Sequence, residues 1–179
     1  MSTDLEALAE SYFRRYAYPD FLRAHSLLVG RIARVLAGAR SAAGDDVDIE
    51  AIGLAAYLHD IGRSPLLAGD VREHNELSAL VLAAEGLREC VELARRHPVY
   101  AVLDPHTAPR TLAERIVYLA DRRGGREVLT IEERSAEVAA RHPRYAAEID
   151  RSTPVARAIE REVFAGLPFG PDELGAHLG

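Results

Sequence analysis

The sequence predicts an all-α fold, a single-domain helical bundle, and three observations support this prediction. Apolar residues recur at steps of three and four along most of the chain, the spacing that places them on one face of a helix. No segment of strand length alternates convincingly between apolar and polar residues. Short runs rich in Gly, Pro, Asp and Thr separate the apolar segments and supply signals for helix starts and ends.

The predicted helices follow one another with short connections. The sixth of them starts at Thr107 or Thr111 and runs to Arg122 or Arg123. The last covers residues 144–165, as one helix or as a pair. The other predicted ranges are residues 3–16, 21–42, 49–61, 75–85, 88–97 and about 131–142.

Specific residues mark several of these boundaries. Asp20 and Asp48 are expected to cap the N-termini of the second and third helices. Gly62 is expected to end the third helix. Thr130, followed three residues later by Glu133, predicts a capping box.

The chain of 179 residues is long enough for one domain, taken here as residues 1–179. Within it, residues 20–125 form the expected core, residues 130–165 a C-terminal helical extension and residues 166–179 a tail. The extension is expected to pack on the core, where it covers one side of a site or supplies the surface of a homodimer.

Composition excludes several classes of function. The net charge is −6 and no long basic stripe is present, which argues against duplex nucleic acid as a partner. Charged residues and histidines interrupt every apolar run before it reaches membrane-spanning length. The acidic N-terminus resembles no signal peptide, and the single cysteine, Cys90, fits a reducing compartment. A cytoplasmic location without membrane attachment is therefore expected.

Three predicted helices direct polar side chains towards the core. His25 lies on the face of its helix that also carries Leu22 and Val29. The apolar run from Leu54 to Leu58 leads directly into His59 and Asp60. The apolar face of the second helix is expected to consist of Phe21, Leu22, Leu28, Val29, Ile32, Val35 and Leu36. Asp121 closes the apolar segment "RIVYLAD".

Taken singly, such a histidine is most often a core residue bonded to a backbone carbonyl, and such an aspartate is usually solvated. Taken together they are costly, because an unpaired buried polar group costs about 1–3 kcal/mol or more. The chain contains no lysine that could pair with the carboxylates. A bound cation would satisfy carboxylates and imidazoles together.

The order of these residues resembles the HD-domain superfamily of metal-dependent phosphohydrolases. His25, the pair His59–Asp60 within "HDIGR", and Asp121 after "IVYLA" follow the H…HD…D order of that superfamily over residues 20–125. The resemblance implies that these four residues hold one metal ion.

Two further histidines resemble the six-ligand H…HD…H…H…D subgroup. His74 follows the HD pair at the start of a helix, and His97 ends the next helix. The resemblance implies a second metal ion held by His74 and His97, with Asp60 bridging the two ions. The alternatives are an N-terminal or exposed role for His74 and compensation of a helix dipole for His97. Mixed histidine and carboxylate ligands favour Fe, Mn, Co, Ni or Zn over Ca or Mg.

The resemblance implies a hydrolase in which metal-bound hydroxide attacks phosphorus, and Asp60 and Arg63 are the catalytic candidates. Arg63 is also a candidate for binding the substrate phosphate, with His106 and Arg122 as further candidates, and a plain surface or helix-end role is the alternative for each. Arg110 and Arg123 are weaker candidates. The expected substrate is a nucleotide or a related small phosphate ester or anhydride.

Six residues occur twice with one change, as "RHPVYA" at 96–101 and "RHPRYA" at 141–146. The first copy carries His97, within the ligand order. The second copy carries His142, beyond the distal aspartate, and His142 is therefore expected on the surface. A single short duplication does not indicate a repeat protein.

Two other functions remain open from the sequence. One is a mixed-valence di-iron oxygenase, because some HD proteins with these six ligands use iron and oxygen. The other is a non-catalytic nucleotide-binding domain with a structural metal. Metal identity separates the first alternative from the hydrolase, since the ligand residues are the same.

Overall fold

The computed structural model describes residues 2–178, with side chains from Asp4 onwards. Its described residues form eight α-helices joined by turns and short 3₁₀ helices, and they contain no β-strand beyond one isolated bridge between Gly124 and Val128. The predicted all-α fold is confirmed. The helices are α1 (Ser2–Arg15), α2 (Asp20–Ala42), α3 (Ile49–Leu58), α4 (His74–Ala84), α5 (Arg88–Arg95), α6 (Leu112–Arg123), α7 (Ile131–Arg141) and α8 (Ala146–Phe164).

Helix α3 lies at the centre of the bundle. It is the most apolar helix, and its residues 52–58 are all buried. Gly30 on α2 permits close packing of these two helices, because a Cβ atom there would lie 2.0 Å from the ring of Tyr57. Helices α2, α5 and α6 surround α3, so the C-terminal end of α3 and the residues that follow it lie inside the protein.

Several predicted boundary residues take the predicted roles. The Asp48 carboxylate accepts a hydrogen bond from the backbone N–H of Ala51. Thr130 caps α7 in a capping box with Glu133. Of the two candidate starts for α6, Thr111 is the N-cap and also forms a capping box, which the sequence interpretation did not anticipate.

Two expectations for the start of α2 are wrong. Asp20 is the first helical residue, and Pro19 stands at the N-cap position without a side-chain cap. Proline sets an extended conformation there, so the helix begins one residue earlier than a capping aspartate would allow. Phe21 was assigned to the apolar face but is 75% exposed, because it lies in the first turn, beyond the edge of the packed core.

The role assigned to Gly62 is also wrong. Helix α3 ends at Leu58, and Gly62 lies inside a 3₁₀ helix, Ile61–Arg63. A Cβ atom at this position would lie 2.0 Å from the carbonyl oxygen of His74 and 2.7 Å from the backbone nitrogen of Ser78. Gly62 therefore permits the first turn of α4 to pack directly on the segment that follows α3.

The C-terminal extension packs on the core along α6 and α8. Arg123, expected at a solvated helix end, is buried and donates to the Glu160 carboxylate and to the carbonyl of Pro171. In the tail, Phe169 and Leu174 join the hydrophobic core. Within residues 2–178, no helix combines the length and the apolar character that crossing a membrane requires.

Candidate metal centre

The fold gathers the six predicted ligand residues at one place. Each lies at or near a helix end, except for His25, which lies in the second turn of α2. Three overlapping groups of histidines and aspartates have donor atoms within 4.8 Å of one another. The six residues are His25 of α2, His59 and Asp60 after α3, His74 at the start of α4, His97 after α5, and Asp121 of α6.

The second subsite consists of Asp60 Oδ1 and the Nε2 atoms of His74 and His97. The Asp60 oxygen lies 3.5 Å from His74 Nε2 and 3.4 Å from His97 Nε2. The two histidine nitrogens lie 3.1 Å apart. Donors bound to one metal at 2.0–2.2 Å are separated by about 2.8–3.6 Å in tetrahedral or octahedral geometry. All three separations fall in this interval.

The first subsite consists of His25 Nε2, His59 Nε2, Asp121 Oδ1 and Asp60 Oδ2. Asp121 Oδ1 lies 3.3 Å from His25 Nε2 and 3.8 Å from His59 Nε2. Asp60 Oδ2 lies 3.6 Å from His59 Nε2. The two oxygens of Asp60 thus face different subsites, which is the position that a bridging carboxylate requires.

Backbone carbonyls fix the orientation of two histidine rings. The Nδ1 atom of His59 lies 2.7 Å from the carbonyl oxygen of Ala56, and Nδ1 of His97 lies 2.6 Å from that of Ala94. A carbonyl only accepts, so each Nδ1 carries a proton and donates. In the neutral rings the Nε2 lone pairs therefore point into the subsites. Both carbonyls belong to the last turn of a helix, where intrahelical donors are missing.

The histidine Nε2 atoms that face the subsites carry lone pairs, so they do not donate hydrogen bonds to one another. His59 Nε2 is buried and has no hydrogen-bond partner among the described residues. His74 Nε2 lies 2.9 Å from Nη2 of Arg63, and because a guanidinium only donates, His74 Nε2 accepts and carries a lone pair rather than a proton. Two imidazole nitrogens and a carboxylate oxygen within 3.5 Å of one another need a cation close by, and in this structure Arg63 donates to two of the three.

Burial and neighbouring charges keep two of the histidines and both aspartates in the states that bind metal near neutral pH. Burial lowers the pKa of His59 to about 4 and that of His74 to about 3. Burial opposes ionisation of Asp60 and Asp121, but the guanidinium groups of Arg63 and Arg122 and the nearby histidines hold both carboxyl pKa values well below the usual range. Neutral imidazoles and ionised carboxylates are the protonation states that bind metals.

Three arginines surround the two carboxylates. Arg63 Nε donates to Asp60 Oδ1 at 2.7 Å, and Arg122 Nη2 donates to Asp121 Oδ2 at 2.6 Å. Arg134, from α7, donates to the backbone carbonyl of Asp121 and has Nη2 3.6 Å from Asp121 Oδ1. The C-terminal extension therefore contacts the site through Arg134.

Sequence interpretation did not identify Arg134, although a signal was present. Arg134 lies three residues after the buried Ile131 and four before the partly buried Val138, so it lies on the inner face of α7. An arginine on an apolar face, in a chain without lysine, is itself an indication of a buried carboxylate partner.

The other predicted substrate residues lie at different depths. Arg122 is only 5% exposed and contacts Asp121, so its position does not support the predicted contact with substrate, nor the alternative of a solvated helix end. His106 is exposed in the loop before α6, where its backbone carbonyl accepts from Arg96 and Arg110. His142 is exposed, as expected.

The duplicated hexapeptides meet beside the site. Tyr100 of the first copy and Tyr145 of the second are both partly buried, with ring centroids 6.3 Å apart and ring planes 32° apart. Burial and the Glu73 carboxylate raise the pKa of Tyr100 to about 12, while the Arg63 guanidinium acts in the opposite direction. The tyrosine pair thus lies near the rim on which Arg63 stands, a feature that the sequence did not indicate.

The donor set fits a divalent transition metal. Histidine nitrogens together with carboxylate oxygens suit Mn, Fe, Co, Ni or Zn, and the distances in both subsites are close to those of donors that share one ion. When bound, such an ion would be held by His25, His59, Asp121 and Asp60 in the first subsite. A second would be held by Asp60, His74 and His97.

The all-α domain thus brings histidines and aspartates from five helices, or from the residues next to them, into one cluster that could hold metal. Comparison with protein families agrees, since the model of the HD domain matches residues 22–124, more than half of the chain. The chain belongs to the HD domain family, whose members are typically metal-dependent phosphohydrolases. No curated protein and no solved structure matches the chain.

Proposed function

We propose that this protein is a phosphohydrolase with a dinuclear metal site, acting on a nucleotide or a related small phosphate ester or anhydride. The observation that carries the proposal is the position of Asp60, whose two oxygens face two groups of imidazole lone pairs. Two adjacent ions would lower the pKa of a bound water and neutralise charge that develops on a phosphoryl group.

The residues of the chain supply orientation and charge. The pKa shifts favour ionised Asp60 and Asp121 and neutral His59 and His74 at neutral pH, which are the states that bind metal. Arg122 donates to Oδ2 of Asp121 and leaves Oδ1 free to face the first subsite. The half-exposed Arg63 is the arginine at the rim that can form a bidentate contact with a phosphate oxygen pair.

The tyrosine pair supports a substrate with an aromatic base. Phosphate at the metal centre would place the remainder of the substrate at the rim, where Tyr100 and Tyr145 are partly exposed. Stacking of a base on an aromatic side chain contributes about 1–3 kcal/mol and tolerates different bases. We therefore propose nucleotides rather than simple phosphate esters. His106 stays a candidate for the part of the substrate furthest from the metals.

The test is phosphate release from a panel of nucleoside mono-, di- and triphosphates and dinucleoside polyphosphates, with and without added Mn²⁺. His74→Asn should abolish release, whereas His177→Asn, at an exposed histidine outside the site, should behave as the wild type. Metal analysis of the freshly purified protein accompanies the panel. Iron in that protein, with oxygen consumption and no phosphate release, would replace the hydrolase proposal with the di-iron oxygenase.

Release of phosphate from nucleotides but not from ribose 5-phosphate would support the role of the tyrosine pair. Equal rates with both, and an unchanged KM in Tyr100→Ala, would contradict that role and leave the hydrolase proposal standing.

A further inference from the structure

Arg63 makes a contact that a purely phosphate-binding arginine would not need. Its Nε donates to Asp60 Oδ1 at 2.7 Å, and its Nη2 lies 2.9 Å from His74 Nε2. The guanidinium therefore engages two of the three donor atoms of the second subsite. The same side chain is 45% exposed, so it can leave this position without disturbing the core.

The lone pairs that Arg63 uses are those that a metal ion would use. A guanidinium only donates hydrogen bonds, so it competes for the same electrons on Asp60 Oδ1 and His74 Nε2. Its positive charge also opposes a dication a few ångströms away. The two occupants therefore exclude one another in this geometry.

In the first subsite no described arginine hydrogen-bonds to a donor atom that faces the subsite. Arg122 binds Oδ2 of Asp121, whereas His25 and His59 face Oδ1. Arg134 donates to the backbone carbonyl of Asp121, and its Nη2 lies 3.6 Å from Oδ1, beyond hydrogen-bond distance. Both arginines are buried, at 5–6% exposure, and neither can swing out to solvent as Arg63 can.

We propose that Arg63 and the second metal ion are alternative occupants of the second subsite, so that the second ion binds only when Arg63 swings out to the rim. This inference rests on the proposed dinuclear function and adds the order of loading. The first ion binds tightly and independently, and the second binds more weakly because it must displace an internal cation.

An oxyanion should favour the displaced position of Arg63. Arg63 already lines a cleft at the rim together with His74, Arg72 and Asp70, in which Arg72 pairs with the Asp70 carboxylate, and the displaced guanidinium would stay in this cleft. A phosphate group bound there by Arg63 would remove the competitor of the second ion. By linkage, phosphate and the second metal then tighten each other's binding. The substrate class that best exploits this arrangement is a phosphate ester with a free dianionic terminal group.

The test is titration of the metal-stripped protein with Mn²⁺, followed by calorimetry and by electron paramagnetic resonance of free Mn²⁺. The wild type should show one tight and one weak site. In Arg63→Gln the second site should become at least tenfold tighter, a change of about 1.4 kcal/mol, with the first site changed less than twofold. Arg63→Lys keeps the charge but loses the bidentate guanidinium, so its affinity for the second ion should lie between those of the wild type and Arg63→Gln.

Matched variants assign the effect to the subsite. Arg31→Gln removes an arginine of α2 with similar exposure, which pairs with Glu6 and lies outside both subsites and the cleft, and it should titrate as the wild type. Arg63→Gln combined with His74→Asn should bind one ion only. A second site in Arg63→Gln that is unchanged or weaker than in the wild type would overturn the proposal.

Inorganic phosphate provides the second arm. Submillimolar phosphate should tighten the second Mn²⁺ site of the wild type several-fold, and the effect should be lost in Arg63→Gln. An equal effect in both proteins would overturn the linkage through Arg63. Because neither arm measures hydrolysis, a failure of the proposed activity would leave these titrations interpretable.

Discussion

The two subsites are built from the same residue types but are neutralised from different sides. In the first, Arg122 hydrogen-bonds to the Asp121 oxygen that faces away from His25 and His59, and Arg134 stays beyond hydrogen-bond distance of the oxygen that faces them. In the second, Arg63 lies across the donor atoms of Asp60 and His74. In the account proposed here, the position of the counter-cation, rather than the number of ligands, separates a subsite that holds its ion permanently from one that exchanges it.

The difference follows from where each aspartate stands in the chain. Asp121 is inside the last turns of α6, so its arginine partners come from the same helix and from α7, which packs against it. Asp60 precedes a 3₁₀ turn that leads out to the surface, and Arg63 follows three residues later at the rim. A short turn can direct a long side chain back over the residue that precedes it.

The largest effect is expected from Asp60→Asn, which alters the one residue shared by both subsites. Loss of an outer-shell partner alone reduces metal affinity about 10–100-fold, and loss of a bridging ligand should exceed this. Metal content and phosphate release should both fall to background. Measurement of bound metal after gel filtration checks this, and a protein that retains two ions per chain would contradict the shared role of Asp60.

The next effect separates the subsites. His25→Asn should remove the tightly bound ion, whereas His74→Asn should leave one ion per chain and abolish activity. Both side chains are only 16% exposed, so the two variants are matched in burial. The affinity of the remaining ion distinguishes them, since His25→Asn should keep only the weak site and His74→Asn only the tight one. Loss of both ions in each variant would mean that the two subsites are one site.

A smaller effect is expected from Gly62→Ala. The added methyl group would lie 2.0 Å from the His74 carbonyl oxygen, so α4 must shift and move His74 away from Asp60. Overpacking of this kind costs about 1–3 kcal/mol of unfolding free energy. The second ion should be lost and the first retained.

The matched control for that variant is Gly38→Ala on α2, where a Cβ atom meets no other atom within 4 Å. Alanine is favoured over glycine in a helix by about 1 kcal/mol, so this variant should be as stable as the wild type or more so. Chemical denaturation measures both. If Gly62→Ala were as stable as Gly38→Ala and bound two ions, the close contact between Gly62 and the His74 carbonyl would have no role in placing His74.

The last prediction concerns the stability of the metal-free protein as a function of pH. The pKa values of His59 and His74, ordinarily 6.5, are lowered by burial to about 4 and about 3. Between pH 6.5 and these values the unfolded chain binds protons that the folded chain does not, so stability falls as pH falls. Each histidine contributes a slope of at most about 1.4 kcal/mol per pH unit.

Denaturation of the metal-free wild type and of His74→Asn at pH 7 and pH 5 checks this. The variant should lose less stability than the wild type over that interval. A wild type whose stability is constant between pH 7 and pH 5 would contradict the burial of neutral histidines.

The positions of His25, His59, Asp60 and Asp121 could be predicted from local signals, whereas His74 and His97 were expected only from the family resemblance. His25 and Asp121 interrupt apolar faces at helical spacing, and "HDIGR" follows an apolar helix. The role of Gly62 could not be predicted, because it depends on the carbonyl of His74, which only the packing of α4 brings near. The burial of Arg122 and the contact of Arg134 likewise depend on how α7 packs on α6.

The central claim is that two ions occupy adjacent subsites and that the second replaces Arg63. The most direct measurement is anomalous scattering from crystals of the protein grown with Mn²⁺ and phosphate. The account predicts one peak among His25, His59 and Asp121, a second among Asp60, His74 and His97, and an Arg63 side chain turned to the rim. A single peak beside an Arg63 still bound to Asp60 would contradict it.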